Sequence, residues 1–266
     1  MGAVELIGGL SDLLKDKTLL KHAALIGGQW VKAKSGAEFS VINPATGKEI
    51  AKVPNLSAED VKEAIHASEK SFLEWRNITG KERAAILRKW FNLITENTED
   101  LALIMTHEQG KPLAEARAEI HYGSSFIEWF AEEAKRVTGA IPSTTWPDKR
   151  LMVLKQAIGV CVAITPWNFP SAMLARKIAP ALAVGCTVVM KPAPQDPLAI
   201  IELAEIMHAV GFPPGVVNVI TSSKPAPAAA LTTSPNVDMV SFTGSTGVGV
   251  RIMEAGAATM KRQLLE

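Results

Sequence analysis

From residue 159 onward the chain alternates short Val/Ile-rich runs with helix-like stretches, and this alternation limits the fold more than any other feature. Strand-like runs occupy 159–165, 187–191, 216–220 and 237–242. Helix-like stretches follow them at 171–184, 197–210, 227–232 and 245–257. Short apolar runs without polar alternation have both faces covered, which is the mark of a parallel sheet between helix layers. The expected class is therefore α/β. Ligands of such sheets bind beyond the carboxyl ends of the strands. That rule selects residues 165–170, 191–194, 221–223 and 243–249.

The first half reads differently. Ile26-Gly27-Gly28-Gln29-Trp30 predicts a tight hairpin, and Asn43-Pro44-Ala45-Thr46-Gly47 a turn. From 57 to 136 the pattern is helical. Ser57 with Asp60, and Thr79 with Glu82, carry capping-box spacing. Ile86, Leu87, Trp90, Phe91 and Ile94 form an apolar stripe that belongs to the core. Gly110 and Pro112 stop one helix, and a long helix over 113–136 ends by Gly139. Residues 137–158 break the rhythm, with a strand expected over 151–155. This excursion suits either packing on another subunit or a surface loop. The organisation expected is an extension over 1–21 and one domain over 22–266.

Composition narrows the function. The chain has 266 residues, 47% hydrophobic and 21% charged, with a net charge of +1. That is ordinary for a soluble domain with a full core, and it argues against a nucleic-acid surface or a polybasic membrane patch. No apolar run reaches the roughly 18 residues of a membrane span, and the first twenty residues lack a signal-peptide pattern, so the expected location is cytoplasmic. Cys161 and Cys186 lie inside apolar runs and read as buried reduced thiols. No Cys/His cluster suggests a metal.

Three of the selected strand ends carry plausible chemistry. In Thr165-Pro166-Trp167-Asn168-Phe169-Pro170, two prolines stiffen a loop that offers Asn168 as a neutral donor. Lys191-Pro192-Ala193-Pro194 places a lysine within reach of ribose hydroxyls or a phosphate. Thr243-Gly244-Ser245-Thr246-Gly247-Val248-Gly249 is a glycine-rich turn opening a helix, which presents backbone N–H groups to an anion. Singly these read as a turn asparagine, a surface lysine and a weak glycine motif. Together and in this order, PWNFP (166–170), VVMKPAP (188–194) and SFTGSTGVG (241–249) resemble the aldehyde dehydrogenase superfamily. Glu108-Gln109-Gly110-Lys111-Pro112, residues 42–47 and residues 211–219 extend the resemblance over about 22–266. Residues 126–136 and Arg176-Lys177 look most like the succinate/glutarate-semialdehyde branch.

The resemblance implies a Rossmann-like parallel sheet with flanking helices, the family's N-terminal domain, truncated before the catalytic domain. It implies NAD(P)-dependent oxidation of an aldehyde, succinate or glutarate semialdehyde, to the acid through a cysteine thiohemiacetal and thioester. The cysteine lies beyond this chain, so the 266 residues alone are expected to be inactive. Asn168 matches the oxyanion-hole asparagine and Glu266 the general base of a motif beginning Leu265-Glu266. Ile164, Thr165, Pro166, Trp167 and Asn168 would line the cofactor, NADP or NAD, with Lys191, Pro192, Ala193 and Pro194 at its ribose. Gly244 and Ser245 would hold the pyrophosphate, and Lys177 would support the site. Arg176 would take the substrate's distal carboxylate, a bidentate task suited to guanidinium, while Phe169 and Met173 would line the substrate tunnel. The complete family enzyme would be a homodimer or homotetramer.

Two segments depart from the family. Pro194 replaces the glutamate or serine that sets cofactor preference, so NAD and NADP both stay open. Residues 221–228 read TSSKPAPA where glycines are usual, so Ser222 adds a side chain and Lys224 a charge that could meet a phosphate. Two alternatives stand beside the semialdehyde reading. One is an aldehyde dehydrogenase of another substrate branch, aromatic, betaine or aliphatic. The other is a non-catalytic nucleotide-binding fragment.

Overall fold

The computed structural model describes residues 9–266. In chain order the elements are α1 (Leu10–Leu13), β1 (Ala24–Ile26), β2 (Gln29–Val31), β3 (Glu38–Ile42), β4 (Glu49–Pro54), α2 (Ala58–Trp75), α3 (Gly80–Glu96), α4 (Thr98–Gln109) and α5 (Leu113–Glu133). The second half runs β5 (Val160–Ile164), α6 (Pro170–Ala183), β6 (Thr187–Lys191), α7 (Leu198–Ala209), β7 (Val217–Val219), α8 (Pro225–Thr233), β8 (Met239–Phe242), α9 (Thr246–Ala257) and β9 (Arg262–Leu265). The expected capping boxes form at Ser57/Asp60 and Thr79/Glu82, opening α2 and α3.

Seven strands make one sheet in the order β2-β1-β7-β6-β5-β8-β9, while β3 and β4 form a separate hairpin. Strands β5 to β9 run parallel. The sheet is doubly wound: from β5 the chain builds outward through β6 and β7, then returns to add β8 and β9 on the other side. Period-two alternation splits the strands between two cores. Cys161, Ala163, Val188 and Met190 enter the core that also holds buried residues of α3, α4, α5, α6 and α7. Val160, Val162, Ile164, Val189, Val240 and Phe242 enter the core with α2, α8 and α9 residues. Both cores bury their strands fully, which is why these runs carry no polar alternation.

The expected parallel sheet forms over β5 to β9, and the β1–β2 hairpin adds an antiparallel edge to it through Leu25 opposite Val219. Two expectations are corrected. Residues 262–265 form a fifth parallel strand that sequence reading passed over. The strand expected over 151–155 is absent: Val153 makes one isolated bridge to Ala140, and Met152 and Leu154 are exposed. A strand needs a partner ladder, and none runs beside this segment. No helix among the described residues is long and apolar enough to cross a membrane.

Helices α6 and α7 share an unusual opening. Neither has a side-chain cap from its own N-cap residue, and each begins at a proline, Pro170 or Pro197. Their free N–H groups are instead met by glutamates from the outer helical layer. Glu119 of α5 accepts from Ser171 and Ala172 at 3.0 and 3.3 Å. Glu108 of α4 accepts from Leu198 and Ala199 at 2.6 and 2.9 Å. A carboxylate there satisfies orphan donors and complements the helix dipole. Glu119 also pairs with Lys111, whose side chain is itself buried. Breaking a buried pair from one side costs about 3–5 kcal/mol. Glu119→Ala should therefore lower the urea-unfolding free energy of the chain by about that amount. A loss under about 0.5 kcal/mol, the size of a neutral surface change, would contradict the capping account.

Candidate functional site

Strand register brings the predicted loops to one edge. Ile164 pairs with Lys191 on one side and with Phe242 on the other, and Phe242 pairs with Leu265. The residues that follow, Thr165, Pro192, Thr243 and Glu266, thus stand in a row at the carboxyl ends. The reversal of strand order between β5 and β8 puts the crevice of a doubly wound sheet here.

The 165–170 loop is clamped from outside. The Gln109 side-chain amide donates to the carbonyls of Trp167 (2.6 Å) and Asn168 (2.8 Å). Lys111 donates to the Asn168 carbonyl at 2.8 Å, and its ammonium sits 4.1 Å from the Phe169 ring centroid. Backbone carbonyls are held while Trp167, Asn168 and Phe169 remain exposed. Ile164 and Thr165 are buried and Pro166 is half-buried. Phe169 therefore packs under Lys111 at the loop, whereas Met173 lies beside Arg176, its sulfur 3.9 Å from Nη1.

At the β6 end Lys191 is buried, with its Nζ 3.2 Å from the Pro192 carbonyl, and burial lowers its pKa. Ala193 is buried beside it and Pro194 half-buried. At the β8 end Gly244 and Ser245 are exposed. A Cβ on Gly244 would lie 2.5 Å from the Phe242 ring, so this turn admits only glycine. Ser245 is the N-cap of α9 and makes no side-chain cap, which leaves the helix's first N–H groups open to an anion.

Residues 221–223 are tied to β4 instead of filling the crevice. Thr221 donates to the Pro54 carbonyl at 2.6 Å. Ser222 donates to Asn55 Oδ1 at 3.0 Å, and Asn55 Nδ2 donates to Ser223 Oγ at 2.8 Å. The extra side chain of Ser222 is thus buried against Asn55.

Arg176, Lys177 and Glu266 converge. Glu266 accepts from Thr243 Oγ1 at 2.7 Å and from Lys177 Nζ at 3.3 Å, and its other oxygen lies 3.3 Å from Arg176 Nη2. The Thr243 hydroxyl, with the two cations, holds the Glu266 carboxyl below its usual range. Burial lowers Lys177, whose side chain is 3% exposed, against the opposing pull of Glu266. These three side chains line a cavity of about 440 Å³ together with Cys161 and Cys186. The thiols are free and buried, as expected. The two thiols act on each other: the neighbouring Cys186 and burial push Cys161 up, while Cys161 and the nearby Gly159 and Ile158 backbones lower Cys186 to about 7 against burial. Cys161 stands at the start of β5, three strand residues, or about 10 Å, from the edge where Asn168 follows.

The fold and this edge define a doubly wound α/β class of domain with its crevice at the carboxyl ends of the strands. Residues 30–266 match the Aldehyde dehydrogenase family, and the chain belongs to it. It is 51% identical over 253 residues to the NADP(+) succinate-semialdehyde dehydrogenase GabD of Escherichia coli (strain K12), covering 95% of this chain and 52% of that protein. It is equally 51% identical to the glutarate-semialdehyde dehydrogenase of Pseudomonas putida (strain KT2440), covering 95% and 53%. The crystal structure of an aldehyde dehydrogenase from Brucella melitensis biovar abortus 2308 superposes with a TM-score of 0.94 at 51% identity, over 96% of this chain and 53% of that one. The chain spans about half the length of these relatives.

Sequence reading missed Glu108, Gln109, Lys111 and Glu119 as parts of the site's support, and Thr243, selected with the 243–249 turn, was not read as a partner of Glu266. The motif 108–112 was the signal for the first three, and its partners are far along the chain. Among the described residues no group of three or more His, Cys, Asp or Glu is placed to hold a metal ion.

Behind the β6 loop lie three buried acids. Burial pushes Glu108 up, and its two N–H donors pull it back toward the ionised form that caps α7. Burial and the nearby Glu108 raise Asp196 to about 10, and they raise Glu202 as well. Among the described residues neither carboxyl oxygen of Asp196 or of Glu202 has a hydrogen-bond partner. Asp196 and Glu202 each keep a proton in the folded chain at a pH where the unfolded chain has lost it. Their contribution is full below the unfolded carboxyl range of about 4 and is lost as pH rises through the raised values. Thermal melts should show stability falling from pH 5 to pH 9, and the Asp196→Asn, Glu202→Gln double variant should flatten that fall. An unchanged slope in the variant would contradict the assignment.

Proposed function

We propose that the complete protein oxidises an aldehyde bearing a distal carboxylate, succinate or glutarate semialdehyde, to the dicarboxylic acid with a nicotinamide dinucleotide. Residues 22–266 serve as its dinucleotide-binding domain. The observation that carries the substrate reading is Arg176. It is a guanidinium 36% exposed on a mostly buried helix, beside Lys177 and Glu266 and about two turns from Asn168. Its contact with Glu266 is long and partly exposed, and such pairs are worth only about 0–1 kcal/mol. A substrate carboxylate can therefore share or displace it and gain bidentate bonding.

The edge fits a dinucleotide. Lys191 offers an ammonium to the adenosine ribose, with Pro192, Ala193 and Pro194 shaping that pocket. Gly244 and Ser245, with the open N–H groups of α9, would hold the pyrophosphate. Ile164, Thr165, Pro166 and Trp167 would pack along the cofactor. When bound, the nicotinamide accepts the hydride. Pro194 supplies neither a carboxylate to repel a 2′-phosphate nor a hydroxyl to bind one, so the proposal covers NADP and NAD.

In this reading the attacking thiolate comes from beyond residue 266, since Cys161, near the start of β5, and Cys186, just before β6, stand away from the carboxyl edge. Asn168 donates its side-chain amide to the oxyanion, and the clamp on its carbonyl fixes that direction. Glu266 takes a proton from the hydrolytic water, its carboxylate kept ionised by Thr243 and Lys177. Phe169 and Met173 would line the approach of the aldehyde. The exposed Ile141, Trp146, Met152 and Leu154 support reading 137–158 as a bridge to a second subunit.

The test uses the whole natural protein that carries this chain. Arg176→Ala should lower kcat/KM for succinate semialdehyde relative to butanal by about 10- to 100-fold, the effect of losing a half-buried charged partner. Asn168→Ala should lower kcat for both aldehydes by about 10²- to 10³-fold. Equal treatment of the two aldehydes by the unaltered enzyme would overturn the substrate assignment.

A further inference from the structure

Arg176 is mounted on an aromatic platform from a different helix. Resting on the reading of Arg176 as carboxylate anchor, we propose that Phe126 is a positioning residue that aims this guanidinium at the substrate's distal carboxylate. Helices α5 and α6 are locked at close range. A Cβ on Gly123 would come 3.0 Å from Ser171 Oγ and 3.3 Å from the Ala172 Cα, so any side chain there would push the two helices apart by a few tenths of an ångström. Glu119, one turn earlier on α5, caps α6 at Ser171 and Ala172. Residues 119, 123 and 126 follow helical spacing and therefore share the face that meets α6.

On that face the Phe126 ring lies under Arg176, with Cζ 5.7 Å from the ring centroid. Tyr122 braces the ring edge-on at 4.9 Å and 66°. Met173 touches the guanidinium from its own helix at 3.9 Å. Cation–π attraction uses the face of a guanidinium, whereas hydrogen bonding to a carboxylate uses its edge. The platform thus restricts the rotamers of a half-exposed arginine and leaves its donors free. Glu266, 3.3 Å from Nη2, and the weak sulfur acceptor of Met173, 3.9 Å from Nη1, engage the fork only loosely, and the side chain stays 36% exposed. Specificity for an anionic aldehyde then depends on α5 as well as on the helix that carries the arginine.

The experiment is steady-state kinetics of the whole natural protein with succinate semialdehyde and butanal. Phe126→Leu should raise KM for succinate semialdehyde about five- to tenfold, with kcat within about twofold and butanal kinetics unaltered. Phe126→Tyr keeps the ring and should restore KM to within about twofold of the parent. Tyr122→Leu, at a half-exposed site that does not threaten folding, should raise the same KM about two- to threefold. An unchanged KM in Phe126→Leu, in a protein where Arg176→Ala does raise it, would overturn the platform and leave the carboxylate reading standing. Equal KM rises for both aldehydes would reduce Phe126 to a structural role and overturn it too. If Arg176→Ala itself leaves selectivity unaltered, the carboxylate reading falls, and the platform falls with it.

Discussion

Two buried glutamates hold the carboxyl edge of the sheet to the helical layer. Glu108 and Glu119 reach across from α4 and α5 to cap α7 and α6, helices that have no side-chain cap of their own. The same short stretch also supplies Gln109 and Lys111, which bind the carbonyls of the 167–168 loop. Lys111 then closes the circuit by pairing with Glu119. The elbow between α4 and α5 is therefore a bracket. It fixes where α6 starts, and hence where Asn168, Met173, Arg176 and Lys177 stand. Hydrogen bonds involving charged groups are worth more than neutral ones, and leaving buried members unpaired is costly, so such a circuit tolerates little rearrangement.

The bracket explains a division of labour. Strands β5, β6 and β8 are buried on both faces and provide rigid ends in register. The loops beyond them carry the exposed groups: Trp167, Asn168, Gly244 and Ser245. Charge is concentrated where α6 meets Glu266, with Lys177 almost fully buried and Arg176 half exposed. A buried lysine favours a fixed anionic neighbour, and a half-exposed arginine keeps donors for an incoming one. In the proposed reading, that contrast between adjacent residues makes Lys177 the structural cation and Arg176 the recognition cation.

Much of this was legible in the sequence wherever the signal is local. The Val/Ile runs gave strands β5 to β8 because full burial on both faces removes polar alternation. Ser57 and Thr79 announced α2 and α3 because a capping box spans only three residues. The long-range caps were illegible for the same reason: Glu108 meets its partners 90 and 91 residues away. Strand β9, reading Arg262-Gln263-Leu264-Leu265, lacks a β-branched run and is a strand because β8 offers it a ladder. The reverse error at 151–155 has the same cause, an apolar run with no ladder to join. Ser222 read as an intrusion on the crevice, yet Asn55, far away in sequence, turns it toward β4. For the site, the row of strand ends came from motif order, and the meeting of Arg176 with Glu266 came only from the fold.

The most direct test of the central claim, that this edge holds a nicotinamide dinucleotide, is calorimetric titration of the 266-residue chain with NADP and with NAD. The account predicts saturable one-to-one binding of at least one of them, weakened about tenfold or more by Lys191→Ala with no change in melting temperature. No binding of either dinucleotide by a folded chain, or binding indifferent to Lys191, would contradict it.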